Sequence, residues 1–418
     1  MSNTRDNTDA PLATPSGSMS QGSRGGAARD KNDNPSAQPA VRASQDKSAH
    51  KPMDTDAGKS ADRFKKNAEP SSEVRHEKPK EKKLYAALDL GTNNCRLLIV
   101  EPHGKTFRVR DSFSRIVRLG EGLEASGALS EGAMERTIAA LKICASKIRR
   151  FQVARVRCVA TEACRQALNG DAFIKRAQRE TGLRLEVIDG RTEAKLAALG
   201  CENLFENEAK SVLVFDIGGG STELTWLERG ELGKFGVQDV ASFPLGVVRL
   251  AERHAGPGDF DHGYDAIFEE CSQYLMEFSE RLAVKRKTEG IQLIGTSGTV
   301  TTLAAVHLGL ERYDRSRVDG CVMQMSHIMT VINALKVKSR TQLAENPCIG
   351  SQRADLVLAG CAVVDALYKI WPIEHVSVAD RGLREGILLR MIRRDRRRGD
   401  YRKRVHKSGR ATPPTVTK

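Results

Sequence analysis

Asp216 and Glu223 stand on either side of a run of three glycines, Gly218, Gly219 and Gly220, which Ser221 and Thr222 follow. The stretch Val212 to Glu228 reads V-L-V-F-D-I-G-G-G-S-T-E-L-T-W-L-E: an apolar run, a glycine-rich turn and a second run of strand-forming residues. This pattern predicts a β-hairpin whose tip exposes backbone N–H groups, a concavity that can hold a phosphate. The spacing lets the two flanking strands bring both carboxylates near the turn. A plain tight turn is the alternative for the glycines, and capping of its own backbone the alternative for the aspartate.

The stretch occurs twice. Residues 84–101 read L-Y-A-A-L-D-L-G-T-N-N-C-R-L-L-I-V-E, and placing Asp89 on Asp216 aligns Leu90 with Ile217, Gly91 with Gly218, Leu97 with Leu224 and Glu101 with Glu228. An offset of 127 residues is a duplicated domain, since solenoid repeats are far shorter. Asp89, Gly91, Thr92, Asn93 and Asn94 thereby join Gly218, Gly219, Gly220, Ser221 and Thr222 as phosphate-binding candidates. Two such turns facing across a cleft would hold phosphate oxygens between two sets of N–H donors. The nearby carboxylates would hold a hydrated Mg²⁺, which takes one or two carboxylates plus waters and substrate phosphates.

The elements needed to position these turns are legible as an α/β pattern. The first copy predicts strands at 84–89, 95–101 and 106–118, a helix from Ser130 to Arg150, a strand at 153–160, a helix at 171–181, a strand at 183–188 and a helix from Thr192. The second predicts strands at 211–216, 222–228 and 234–242, a helix over 262–286 and a strand at 291–294. G-T-S-G-T at 295–299 then opens onto V-T-T-L-A-A-V-H. A helix start there would offer free N–H groups to an anion, or carry a simple Ser/Thr cap. Helices at 325–338 and 353–370, a strand at 375–379 and a helix from 380 complete the body.

D-I-G-G-G-S-T-E-L at 216–224, D-L-G-T-N-N at 89–94 and S-G-T at 297–299, in that family's order and spacing, resemble the exopolyphosphatase / guanosine pentaphosphate phosphohydrolase (Ppx/GppA) phosphatase family over roughly residues 84–392. The fold this implies is α/β: two duplicated actin-like, ribonuclease H-like domains flanking a phosphate-binding cleft. Domain I takes 84–207 plus a crossover helix at 380–394, and domain II takes 208–379. The implied activity is Mg²⁺-dependent release of terminal phosphate from inorganic polyphosphate, or of the 5′ terminal phosphate from guanosine pentaphosphate. Glu193, in D-G-R-T-E-A-K-L, matches the family's catalytic glutamate; read by itself it is a first-turn helix carboxylate favoured by the dipole. Asp216 and Glu223 are assigned by the resemblance to the metal, and Arg165, in C-R-Q-A-L-N, to a substrate phosphate through its guanidinium fork. Glu162, three residues before Arg165, is not required by the family pattern.

The departures matter too. The family's first loop usually reads G-S-N-S, where this chain has Gly91-Thr92-Asn93-Asn94, so an amide replaces the second hydroxyl and can still donate. The body ends soon after the crossover and contains no His-Asp doublet, as in the family's short form without the further helical domain. A sugar or acetate kinase of the same superfold is a rival reading, and a silent polyanion binder another. Glu193 upstream of the S-T-E turn favours water as the acceptor, and the retained carboxylate set argues against a silent protein.

Charge is concentrated at the ends of the chain. Of a net +14, residues 1–83 hold 16 basic and 12 acidic side chains and residues 393–418 hold 11 and 2, leaving 40 and 39 in between. The basic run of residues 393–404 can contact polyanions without sequence preference, or simply solvate a helix end. Residues 1–83 are too polar to bury a core and are expected to be disordered, as is a basic tail from 395. Nine cysteines with no C-x-x-C pair fit a reducing cytoplasm, not a disulfide framework or a zinc site. No apolar run reaches the 18 residues of a membrane span. Family members often form homodimers, an expectation that extends to this chain by resemblance only.

Overall fold

The computed structural model describes residues 83–254, 263–282 and 290–408. The expected disorder of the N-terminal tail therefore lies, Lys83 aside, outside the described residues, as do residues 409–418 of the basic tail.

The first lobe is built from β1 (Tyr85–Leu90), β2 (Asn94–His103), β3 (Thr106–Ile116), α1 (Leu123–Ser126), α2 (Glu131–Arg150), β4 (Arg155–Ala160), α3 (Glu162–Gln166), α4 (Gly170–Thr181), β5 (Leu185–Val187) and α5 (Gly190–Gly200). The second contains β6 (Ser211–Ile217), β7 (Thr222–Arg229), β8 (Phe235–Phe243), α6 (Val247–His254), α7 (Gly263–Arg281), β9 (Ile291–Thr296), α8 (Gly298–His307), α9 (Arg315–Val318), β10 (Val322–Gln324), α10 (Met325–Lys336), α11 (Arg340–Glu345), α12 (Val357–Ile370) and β11 (His375–Ala379). A last helix, α13 (Leu383–Ser408), returns to the first lobe.

The first sheet runs β3-β2-β1-β4-β5 and the second β10-β11-β9-β6-β7-β8. Read outward from the glycine hairpin, both have the order third, second, first, fourth, last, and β10 is an added antiparallel edge. The duplication seen in the repeated motif thus extends to whole sheets, and the fold is the α/β pair of actin-like lobes. In each lobe the central strand pairs antiparallel with its hairpin partner and parallel with the next strand, so the ends of β1 and β4, and of β6 and β9, emerge side by side.

Helices cover both faces of each sheet. In the first lobe one face packs Leu88, Leu97 and Ile99 against Ile138, Leu141 and Phe173 of α2 and α4. The other packs Ala87, Leu98 and Val159 against Leu196 of α5 and Ile387 and Leu388 of α13. In the second lobe Phe215, Leu224 and Trp226 meet α6, α7, α8 and α12, while Val212, Val214 and Ile294 meet Ala198 of α5 and Cys201 that caps its end. Helix α5 therefore buries residues against both sheets, and each large side chain so buried contributes about 1.5–3 kcal/mol. Helices α5 and α13 touch backbone to backbone: a Cβ on Gly386 would fall 1.8 Å from the Leu196 carbonyl oxygen. This leaves no room for any residue but glycine.

The expected elements occur within a few residues of their bounds, with two differences. Helix α13 does not stop near 394 but continues to Ser408. Tyr85 Oη donates to Asp395 Oδ2 at 2.9 Å, Arg155 pairs with Asp395 at 3.1 Å and Arg393 with Glu202 at 2.8 Å. A run of arginines, themselves good helix formers, is thereby pinned onto the first lobe. Short elements without a long periodic stripe were not anticipated: α1, α3, α6, α9, α11 and the edge strand β10. No helix among the described residues is long and apolar enough to cross a membrane.

Candidate active site

The two glycine turns are closed identically: Gly91 N–H donates to Asn94 O and Gly218 N–H to Ser221 O, both at 2.9 Å. Behind the first turn, Thr92 O accepts from Gly120 N–H, and Asn93 O from Val117 and Arg118. Behind the second, Gly218 O and Gly219 O accept from Val247 and Val248 at the start of α6. A trans peptide points its N–H opposite to its C=O. The amides of Asn93, Asn94, Gly219 and Gly220 thus face away from these backing segments, on the side of a cleft of about 830 Å³ that all four residues line. The two turns meet at its base. A Cβ on Gly220 would lie 2.5 Å from Thr92 Oγ1, so this approach requires glycine.

Residues at the same point of the two hairpins carry opposite charges. Asp89 lies across from Arg96 in the register of β1 and β2, and Asp216 lies across from Glu223 in that of β6 and β7. Burial raises the Asp89 carboxyl above its ordinary value, against the pull of Arg96 and Arg384. Burial and then the Asp89 charge push Asp216 up to about 6. Burial and then Asp216 push Glu223 up to about 8, although Ser221 and Ser242 hydroxyls donate to its Oε1 at 2.6 and 2.7 Å.

Glu193 stands in the first turn of α5, which the Asp189 side chain caps by accepting from Thr192 N–H at 2.7 Å. Its carboxyl is raised well above the ordinary range by burial and then by Glu223, with Arg165 opposing. Oε2 is buried, accepts no hydrogen bond and lies 3.5 Å from Arg165 Nη1. A carboxylate that lines the cleft, with one oxygen steered by a cation and held by no hydrogen bond, is suited to taking a proton from a water there.

The β9–α8 turn forms a third wall. Ser297 there has φ of 103°, a conformation uncommon for a residue with a Cβ, and its Oγ is buried without a partner. The simple serine cap that the sequence allows is absent: Ser297 makes no side-chain cap bond, and the N-terminus of α8 opens toward the cleft, which Ser297, Gly298 and Thr299 line. Thr92 Oγ1 and Asn93 Oδ1 are also buried without partners. Polar atoms left unpaired in a built cleft are ready to receive a polar ligand.

The Ppx/GppA phosphatase family model matches residues 99–395. This chain belongs to that family. Exopolyphosphatase 2 of Mycobacterium tuberculosis is 31% identical over 324 residues, which cover 73% of this chain and 97% of the relative. A crystal structure of the Aquifex aeolicus Ppx/GppA family member is 30% identical with a TM-score of 0.63, covering 75% of this chain and 98% of its own. An exopolyphosphatase structure from Cytophaga hutchinsonii is 25% identical with a TM-score of 0.67, covering 74% and 97%.

As a Ppx/GppA phosphatase the protein is an enzyme, a phosphoanhydride hydrolase, and its cleft can be set against the residues the sequence singled out. Asp89, Gly91, Thr92, Asn93, Asn94, Glu193, Asp216, Gly218, Gly219, Gly220, Ser221 and Glu223 all line it. Thr222 does not. Its side chain is fully buried and its hydroxyl donates to Leu245 O at 2.7 Å, because alternation along β7 turns it from the cleft side that Ser221 and Glu223 share. Arg165 is one layer behind the wall, donating to Ile188 O and paired with Glu162 and Glu193. Ser297 lines the cleft too, in the turn that the sequence offered as an anion-facing helix start, whereas sequence reasoning left out Arg96, Tyr313, Arg353 and Arg384 of the same lining. Arg96 was within reach of the 127-residue offset, which sets it on Glu223; the others come from separate segments that only the fold unites.

Proposed function

We propose that this chain is a Mg²⁺-dependent exopolyphosphatase that removes the terminal phosphate of inorganic polyphosphate by in-line attack of water. The observation that carries this reading is the placement of Glu193, its Oε2 steered by Arg165, in the lining of the same cleft that the amides of the two opposed turns face. The amides of Asn93, Asn94, Gly219 and Gly220, and the N-terminus of α8, are placed to hold the oxygens of the terminal phosphoryl group where charge spreads during transfer. Glu193 takes the proton of the attacking water. Arg165 keeps the Glu193 carboxylate oriented and compensates its buried charge.

The carboxylates fit a divalent cation. At the base of the cleft the Asp89 charge raises the proton affinity of Asp216, and Asp216 that of Glu223, and a cation there would relieve that repulsion. Among the described residues no group of three or more acidic, histidine or cysteine side chains is close enough to cage a metal alone. Mg²⁺ keeps several waters and leans on substrate phosphates, so one or two carboxylates would suffice for it. Asp216 would hold it with Glu223, the latter through its oxygen not taken by the serines, and the remaining positions would go to waters and substrate phosphate. When bound, it would neutralise charge on the bridging phosphate oxygens.

One observation favours guanosine pentaphosphate as a second substrate. The arm of the cleft in the second lobe is lined by Tyr313, Pro347, Ile349, Leu356 and Val357, with Arg353 beside them. An inorganic chain has no apolar surface to bury there, whereas a purine does. The test is phosphate release with Mg²⁺ from long-chain polyphosphate, guanosine pentaphosphate, and ATP with a sugar or acetate acceptor. Release from polyphosphate alone supports the first reading and release from the pentaphosphate the second. Acceptor-dependent loss of ATP would overturn both.

A further inference from the structure

Glu162 opens α3 and is 7% exposed. Its two oxygens are both engaged. Oε2 pairs with Arg165 Nη2, and Oε1 accepts from Gln166 Nε2 at 2.7 Å and stands 3.6 Å from Nη1 of Arg249. Although it lines the cleft, Glu162 has no free oxygen with which to take a proton from a water.

Arg249 comes from the other lobe, in α6, the helix whose first residues hold the second glycine turn by Gly218 O and Gly219 O. Its Nε lies 2.5 Å from Glu124 Oε2 on α1, and Arg253, one turn on, reaches the same glutamate at 2.6 Å. Gly122 N–H donates to Glu252 at 2.8 Å. One face of α6 is thus held to the first lobe by charges, with Arg249 reaching beyond Glu124 to Glu162. A cavity of about 180 Å³ between Thr92, Glu162, Gly220 and Arg249 shows that tight packing does not fix the arginine. Its place is set by the two carboxylates.

We propose that Glu162 is a positioning residue: it ties the seating of Arg165 against Glu193 to the closed approach of the two lobes. The inference rests on the assignment of Glu193 and Arg165 above. With α6 docked, Arg249 and Arg165 share Glu162, and Arg165 keeps one nitrogen for Glu193. With α6 withdrawn, Glu162 loses its cross-lobe partner and Arg165 is free to follow it, while the second turn moves off Thr92. Hydrolysis is then confined to the closed form, where both sets of amides surround the phosphate.

The test is steady-state phosphate release by the full chain with Mg²⁺ and polyphosphate for the wild type, Glu162→Gln, Arg249→Gln, the double variant, Arg249→Lys and Glu193→Gln, each with a thermal melt. Glu162→Gln and Arg249→Gln are expected to lower kcat by about 10- to 100-fold, the scale of a 1 Å misplacement, with KM changed far less. The double variant should lose no more than the worse single one, because both break one chain of contacts, and Arg249→Lys should recover part of the loss. A merely structural role would lower the melting temperature and leave kcat per folded molecule unchanged. That result, additive losses, or a lysine no better than glutamine would overturn the proposal. A silent Glu193→Gln beside a fully active Glu162→Gln overturns the positioning role alone. A fully active Glu193→Gln overturns the site assignment and this inference with it.

Discussion

Raising the pH of the metal-free protein is expected to destabilise it through Asp216, and Mg²⁺ is expected to restore what is lost. The Asp216 carboxyl is pushed from 3.8 up to about 6, first by burial and then by Asp89. A folded-state value above the unfolded one means that the folded protein holds the proton more tightly. The stability this contributes is complete below about pH 4 and is lost as pH rises through 6. A shift of about 2 units at about 1.4 kcal/mol each corresponds to about 3 kcal/mol, reduced somewhat because Asp216 keeps contact with the solvent in the cleft. Glu223, pushed to about 8, extends a loss of the same sign to higher pH. For a body of this size about 3 kcal/mol is roughly 5–10 °C in melting temperature. Other groups titrate too, so the quantity to measure is the difference between the wild type and Asp216→Asn by scanning calorimetry from pH 4 to 8.5, with EDTA and with Mg²⁺. In EDTA the variant should gain on the wild type as pH rises. Mg²⁺ should raise the wild-type melting temperature more at pH 8 than at pH 5 and the variant's less. A wild-type minus variant difference independent of pH, or a Mg²⁺ increment equal in both proteins, would refute the reasoning.

Three further outcomes follow from the geometry. Gly220→Ala places a methyl 2.5 Å from Thr92 Oγ1 and 2.8 Å from Glu162 Cγ, so the turns must part; kcat should fall by at least about 100-fold and stability by about 1–3 kcal/mol, read by phosphate release and urea melts. Tyr313→Ala should raise KM for guanosine pentaphosphate by about 10-fold and leave polyphosphate within about twofold, since only the nucleotide has a base to lay against the ring. Deletion from Arg393 onward removes Asp395, the acceptor for Tyr85 and Arg155, and should lower the melting temperature at any salt concentration; loss of long-chain binding at low salt alone, with the melt unchanged, would assign the helix end to polyanion contact instead.

How much was legible follows the range of the interactions. Residues 89–94 and 216–223 carry their turn chemistry in consecutive letters, and the repeat gave the duplication directly. Glu193 is a harder case: its letters state only a capped helix start, and the role of base proposed for it depends on α5 packing between the sheets and bringing Glu223 and Arg165 to it. Thr222 was misplaced by treating the S-T-E run as one surface, although β7 alternates from its first residue. Arg249, Glu124 and Glu252 lie in short elements with little apolar periodicity, and their role depends on partners more than 100 residues away. The continuation of α13 was hidden because its anchors, Tyr85, Arg155 and Gly104, belong to the start of the body.

The duplication also explains why the two halves of the cleft do different work. The turns are superimposable in their closing bond, yet the position seven residues after each aspartate holds Arg96 in one lobe and Glu223 in the other. A symmetric pair of carboxylates at both positions would put four acids around the base of the cleft, and a symmetric pair of arginines would leave a cation little charge to bind. With one of each, the first lobe lowers the cost of ionising Asp89 while the second keeps Asp216 and Glu223 proton-hungry in the absence of metal. The anionic pair then lies in the same lobe as the serines that steady Glu223, and next to α5, which brings Glu193. The cationic member lies along β2, beside Ser112 and Ser114 on a wall of the same cleft. On the proposed function, a phosphate chain entering between the lobes would meet donors on the side of the first sheet and the acid cluster on the side of the second, a polarity that would orient its terminal phosphoryl group toward Glu193.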